Sequence, residues 1–210
     1  MTILDCLREP TVEGGSDDHA LPLAFMRYDI SLDGDQTLAR CARNLREAGY
    51  RVAGVVQNDR QRPGRRACDM FLENLTTGES VCISADRGNG ARGCRLDHAA
   101  LAQATLRAEH ALALKPQILI LNKFGKEEAS GRGFFPVMAE ALVLGIPVLS
   151  GVSALNFAAA QAITGGAAMQ IEPTEEAIGF WLQSIMRKRG DPPEFPAARY
   201  PPVRRSNRGA

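Results

Sequence analysis

The 210 residues carry 25 Lys and Arg against 24 Asp and Glu, a formal charge of +1, with 45% hydrophobic, 23% charged and 6% aromatic residues. These proportions are those of a globular chain and exclude a mostly disordered, collagen-like or coiled-coil protein. The balanced charge provides no global basic field, and the scarcity of aromatics argues further against nucleic acid as the main partner.

The opening MTILDCLREP has no basic cluster ahead of an apolar run, so a signal peptide is not expected. Nor does any stretch reach the about 18 uninterrupted apolar residues that read as a membrane span. A cytoplasmic protein with no membrane role is the resulting expectation. The cysteines Cys6, Cys41, Cys68, Cys82 and Cys94 are odd in number and form no C-x-x-C pair, which reads as a set of reduced thiols. His19, His98 and His110 are scattered, and no metal site is expected. Nothing in the sequence specifies a cofactor.

In chain order, residues 1–22 hold Asp5, Glu9, Glu13, Asp17 and Asp18 around Gly14-Gly15 and read as an acidic, flexible arm. Residues 23–186 read as one α/β domain. Leu23 to Tyr28 is a short apolar strand. Asp35 to Ala48 follows as a helix, because Leu38, Cys41, Ala42 and Leu45 recur at helical spacing, and Gly49 is placed to end it. RVAGVVQ over Arg51–Gln57 is a second strand. Cys68–Leu75 and Ser80–Ser84, joined by Thr76–Glu79, read as a β-hairpin. Asp97 is a suitable N-cap for a helix running to about Leu114, ended by Pro116. Ile118–Leu121 is a continuous apolar run, as central parallel strands are. Gly133–Leu144 reads as a helix, Ile146–Ser150 as a buried strand, Ala154–Ile163 as a helix and Ala168–Ile171 as a strand. Thr174 then caps a final helix carrying Trp181. Residues 187–210, rich in proline and arginine, read as an extended basic tail, solvated or touching an acidic surface. Strands alternating with helices predict a three-layer α/β fold: a mainly parallel sheet with helices on both faces, P-loop-NTPase-like, plus an edge hairpin.

In such sheets ligands bind outside the carboxyl ends of the strands, which brings the loops 29–36, 57–67, 122–133 and 151–154 into play. The first carries Asp29, Asp33 and Asp35, one glycine and no lysine, a composition that opposes a polyphosphate and suits helix capping. The second is basic, with Arg60, Arg62, Arg65 and Arg66 either solvated or able to hold an anion. A further cationic stretch, Arg87–Arg95, ends at Arg95 beside Cys94, read as a spectator thiol. Most distinctive is Asn122–Gly133, NKFGKEEASGRG. Lys123, Lys126 and Arg132 supply positive charge, and Gly131 and Gly133 allow backbone amides to come close to a ligand. Glu127 and Glu128 are candidate bases or structural partners of those cations. A salt-bridged structural loop, an anion or nucleotide site, and catalysis by the glutamates all remain open on this composition.

Several segments together carry a family resemblance: REAGYRVAGVVQ, RRACDMFLENLTTGE, CRLDHAALAQA and PQILILNKFGKEEASGRGFFPVMAEALVLGIPVLSGVS. They resemble the bacterial DUF2478 family over about residues 24–186. Their order is more remotely similar to the THEP1-type P-loop nucleoside-triphosphatases. Against that pattern, residues 29–37 lack the Walker A glycines and lysine, and Asn122 and Lys123 stand where the Walker B acid pair would be. The resemblance therefore implies a fold kept while P-loop phosphoryl transfer is lost. It leaves a non-hydrolytic protein binding a nucleotide or a small oxyanion such as phosphate, sulfate or molybdate. The expected ligand contacts are Lys123, Lys126, Gly131, Arg132, Gly133, Arg65, Arg66 and Arg95. A divergent triphosphatase or phosphotransferase using Glu127 or Glu128 is one alternative. An interaction or scaffold protein, acting as a homo-oligomer or through its tails, is another.

Overall fold

The apolar runs of the sequence become strands, and the amphipathic segments between them become helices that close over both sides. The computed structural model describes residues 21–29, 34–61, 68–85 and 96–189. Nearly all of the predicted acidic arm and basic tail lie outside these residues, as do Asp33, Arg65, Arg66 and Arg95. The elements are β1 (Leu23–Tyr28), α1 (Gly34–Glu47), β2 (Val52–Arg60), β3 (Asp69–Asn74), β4 (Ser80–Cys82), α2 (His98–Leu112) and β5 (Ile118–Phe124). They continue with α3 (Lys126–Ala129), α4 (Phe135–Val143), β6 (Val148–Ser153), α5 (Ala154–Ile163), β7 (Met169–Ile171) and α6 (Glu175–Lys188).

One seven-stranded sheet runs in the order β4-β3-β2-β5-β6-β1-β7. Its five strands from β2 to β7 are mutually parallel. The hairpin β3–β4 adds antiparallel to β2 at one edge, as the turn residues predicted. Alternate residues of each strand feed two cores. Leu119 and Leu121 of β5 point, with Phe25 of β1, toward α2, α4 and α5. Ile118 and Ile120 point, with Met26, toward α1 and α6. All of these are at most 1% exposed, so β5 is covered on both sides and reads as an unbroken apolar run instead of an alternating one. Full burial of each such side chain contributes roughly 1.5–3 kcal/mol.

Helix ends follow local chemistry. The Asp97 carboxylate accepts from the backbone N–H of Ala99 and Ala100 at 2.9 and 3.0 Å, satisfying two donors of the first turn of α2. At the other end of α1, Gly49 adopts φ +89° and Tyr50 donates its N–H to the Leu45 carbonyl, a left-handed closure that glycine allows. Cys41 and Cys82 are free thiols. Burial pushes the Cys41 thiol up to about 12, with the Glu175 charge adding to the effect. No helix among the described residues is long and apolar enough to cross a membrane.

The elements depart from expectation where polar residues take strand conformation. β2 continues through Asn58, Asp59 and Arg60 because each pairs with β3. β5 continues through Asn122, Lys123 and Phe124, past an irregularity, to pair Phe124 with Val152. Inside the segment expected to be a loop, a short helix α3 forms, and the following helix starts at Phe135 instead of Gly133. Gly133 sits at φ +56°, which ends one segment and redirects the chain before Pro136 opens α4.

Candidate functional site

The chain leaves β1 for β2 on one side and crosses from β6 over to β7 on the other, so the connections diverge at the carboxyl ends of β6 and β1. The strand ends here are tied by a buried polar network. Asn122 Nδ2 donates to Gln57 Oε1 at 3.0 Å, and Gln57 N donates back to Asn122 Oδ1 at 3.1 Å. Gln57 Nε2 donates to Asp59 Oδ1 at 2.8 Å, and Ser150 Oγ donates to the Asn122 carbonyl at 2.8 Å. The network joins β2, β5 and β6 toward their carboxyl ends, and each of its members is hydrogen-bonded within it, which makes it costly to disturb.

Lys123 reaches over the sheet edge toward α1, where its Nζ lies 3.4 Å from Asp35 Oδ2. The end of β5 and the start of α1 therefore meet. Tyr28, at the end of β1, lays its ring so close to Gly34 that a Cβ there would fall 2.4 Å from the ring. The same ring approaches Gly151, where a Cβ would stand 3.2 Å away. An aromatic ring thus fills the junction of β1, β6 and the start of α1.

The segment 125–134 is organised by Glu128. Its Oε2 accepts the Gly125 N–H at 2.9 Å and its Oε1 accepts the Phe134 N–H at 3.1 Å, so one buried carboxylate clamps both ends of the turn. Gly133 packs against it: a Cβ there would lie 2.2 Å from Glu128 Oε1. Gly131, also at positive φ, has open space where a Cβ would project. Glu127 instead pairs with Arg132, Nε to Oε2 at 2.9 Å, at the exposed side of the turn. The hydrogen bond from Arg132 holds the Glu127 carboxyl below the usual carboxylate range, and the same contact raises the guanidinium. A carboxyl lowered in the folded state contributes stability above its unfolded pKa and loses it as pH falls through the folded pKa. Arg132→Ala is therefore expected to move the Glu127 titration upward toward the ordinary range. Carbon-detected NMR of the side-chain carboxyl reads this directly, and an unmoved midpoint would show that the pair does not persist in solution.

Beside this turn a cavity of about 440 Å³ opens on the α2 side of the sheet. Its floor is apolar, from Met70, Leu72, Ile83, Leu96, Leu101 and Phe134. Lys123, Lys126, Glu127, Glu128 and His98 stand around it, with Gln57 and Asn122 at the strand ends. An adjoining groove of about 560 Å³ runs along α2 and is lined in part by Glu127, Arg132 and Gly133. A third, polar pocket of about 400 Å³ lies across the strand ends between α1 and β2, with Asp35, Arg40, Arg43, Gln57 and Asp59 among its walls. Of the residues singled out from sequence, Lys123, Lys126, Glu127 and Glu128 share the cavity, while Arg132 and Gly133 share the groove with Glu127. Gly131 lines neither. Arg65, Arg66 and Arg95 lie outside the described residues.

Gln57, Ser150 and Tyr28 are the residues that sequence reasoning passed over. The first two were legible as polar breaks inside the apolar runs RVAGVVQ and PVLSGVS. Among the described residues no group of His, Cys, Asp and Glu is arranged to hold a metal ion.

A family model described as a protein of unknown function, DUF2478, matches residues 23–181. The chain is also 36% identical over 159 residues to the molybdenum import ATP-binding protein ModC 2 of Bradyrhizobium diazoefficiens. That match takes in 76% of this chain and only 18% of the length of the relative. Among solved structures, a human cancer-related nucleoside triphosphatase superimposes with a TM-score of 0.51 at 16% identity, covering 79% of this chain and 96% of that one. At that identity the likeness concerns the fold, and it agrees with the parallel order of the sheet.

Proposed function

The chain belongs to the DUF2478 family, and from that premise we propose that it is a non-hydrolytic binding protein on a P-loop-type fold. Its ligand is a nucleotide or a small oxyanion of the phosphate, sulfate or molybdate class. The observation that carries this reading is that Lys123, near the carboxyl end of β5, and Lys126, in the turn that follows, line one cavity. Likeness to an ATP-binding molybdenum import protein supports an anionic ligand, and molybdate as one member of the class.

The residues at the end of β5 do not fit a magnesium–nucleotide centre. An ammonium at Lys123 cannot ligate a cation, and the Asn122 side-chain carbonyl already receives the Gln57 N–H. Glu128, whose two oxygens each accept a backbone amide, is positioned as a structural group, and Glu127 is paired to Arg132. This favours binding over hydrolysis at these residues.

Thermal shift on the full chain tests the reading, with a panel of nucleotides, phosphate, sulfate, molybdate and tungstate. A member present at a hundred times its dissociation constant is expected to add about 2.7 kcal/mol. At this chain length that is a rise of on the order of 5–10 °C. Lys123→Ala combined with Lys126→Ala is expected to abolish the shift while leaving the unliganded melting point within a few degrees, since both side chains reach solvent. An undiminished shift in the double variant would place the ligand elsewhere. Steady phosphate release from a nucleotide, lost in Glu127→Gln, would restore the hydrolase alternative.

A further inference from the structure

We propose that the cavity on the α2 side of the sheet receives the planar heteroaromatic part of the ligand. The ligand would then be a heteroaromatic anion of the nucleoside monophosphate kind, with its ring in the cavity and its anionic group at Lys123 and Lys126. This rests on the binding reading above and deepens it.

The argument begins with what a bare oxyanion needs. A tetrahedral anion is satisfied by a few charged or backbone donors in a small polar recess. It has no use for about 440 Å³ floored by Met70, Leu72, Ile83, Leu101 and Phe134. An apolar cavity with a few convergent polar groups is instead the arrangement of an organic-ligand site, in which burial supplies affinity and the polar groups set orientation. A flat ring suits such a floor, with Phe134 able to stack or meet it edge-on.

The polar groups sit in two sets, as such a ligand requires. At the strand ends are the Gln57 and Asn122 amides. Each donates one N–H within the network, to Asp59 and Gln57 respectively, and each amide nitrogen carries a second N–H for a ring heteroatom. Toward the turn stands Lys126, with Lys123 beside it, whose Nζ also lies 3.4 Å from Asp35 of α1; an anionic group at the mouth would meet both ammonium groups, that of Lys123 in exchange for or alongside Asp35. No residue of β1 or α1 lines the cavity. The ring therefore lies on the opposite side of the sheet from α1. This placement explains how a chain without Walker A residues, and with the Tyr28 ring packed on Gly34, can still hold a ligand at the strand ends.

Methyl NMR on the full chain, labelled at the methionine methyls, tests this. Met70 lines the cavity, so a ring entering it shifts the Met70 methyl through its ring current, while Met138, fully buried in the core, serves as an internal control. The probes are AMP, GMP, inorganic phosphate and molybdate. The expected result is a saturable Met70 shift with a mononucleotide and none with either inorganic anion. Calorimetry should show the mononucleotide binding at least tenfold tighter than phosphate. Leu101→Phe, which fills the floor, is expected to weaken the mononucleotide at least tenfold and leave any phosphate binding unchanged. Lys123→Ala is expected to weaken both. If phosphate or molybdate binds as tightly as the mononucleotide and Met70 stays still, this inference falls while anion binding stands. If no probe binds in calorimetry, both fall. The Met70 measurement uses the unmutated chain, so misfolding of a variant cannot obscure the outcome.

Discussion

Gly54→Ala is expected to lower the melting temperature by on the order of 10 °C. Gly54 lies in the middle of β2, paired in parallel with Ile120 of β5, at φ +111°. A Cβ there would fall 1.9 Å from the Ile120 carbonyl oxygen and 2.8 Å from its carbonyl carbon. The obstacle is backbone of a central strand covered on both faces, which cannot rotate away as a side-chain tip can. Holding a non-glycine residue at such a φ costs about 1–3 kcal/mol, and forcing two packed strands apart costs a further 1–3 kcal/mol or so. The opposing gain, a less flexible unfolded chain, is about 0.4–1 kcal/mol and does not compensate. Gly54 is three residues before Gln57, so a displaced β2 also pulls on the Gln57–Asn122 pair at the strand ends. Chemical denaturation and ligand titration of the same sample separate the two consequences. A variant as stable as the parent would mean that β2 and β5 do not approach as closely as described.

Glu128→Gln is the second large effect. The carboxylate accepts two backbone N–H groups, from Gly125 and Phe134, at a site that is 7% exposed. An amide of the same size offers one carbonyl oxygen and turns its NH₂ toward a donor. One buried N–H is left without an acceptor, at a cost of about 1–3 kcal/mol, and one charge-assisted bond is reduced to a neutral one. The expected loss is about 2–4 kcal/mol, together with faster amide exchange at Gly125 and Phe134. Because those amides bound the turn that carries Lys126, ligand affinity is expected to fall as well. Glu127→Gln, one residue away but in an exposed pair with Arg132, is expected to change stability little. Equal effects at the two positions would remove the distinction between a clamping carboxylate and a surface ion pair.

Much of the architecture was decided by local chemistry. The apolar runs at 23–28, 51–57, 118–121 and 146–150, the helical spacing of Leu38, Cys41, Ala42 and Leu45, the Asp97 cap and the Gly49 stop are each resolved within a turn or two of chain, and all recur in the structure. Alternation of strands and helices then leaves little choice but a parallel sheet. Lys123, Lys126, Glu127 and Glu128 were conspicuous because charge gathers directly after an apolar strand, the end at which open parallel sheets bind ligands.

What the sequence alone could not apportion is which of those charges are spent. Glu127 and Glu128 are identical side chains at adjacent positions. One clamps two backbone amides and the other reaches an arginine, because the left-handed turn at Gly133 directs the chain back over only one of them. Lys123 meets Asp35 only because the sheet order sets β5 two strands from β1, a separation of 88 residues in sequence. The polar tie between Gln57 and Asn122 spans 65 residues. The apolar cavity has no sequence signature, since Met70, Ile83, Leu101 and Phe134 each look like ordinary core until the hairpin, α2 and the turn after β5 are brought together around a space they do not fill. Composition and periodicity therefore determined the elements and their class. Long-range pairing alone decided which polar groups are committed to the fold and where a cavity is left, because burial and hydrogen-bond satisfaction depend on neighbours that only the tertiary structure supplies.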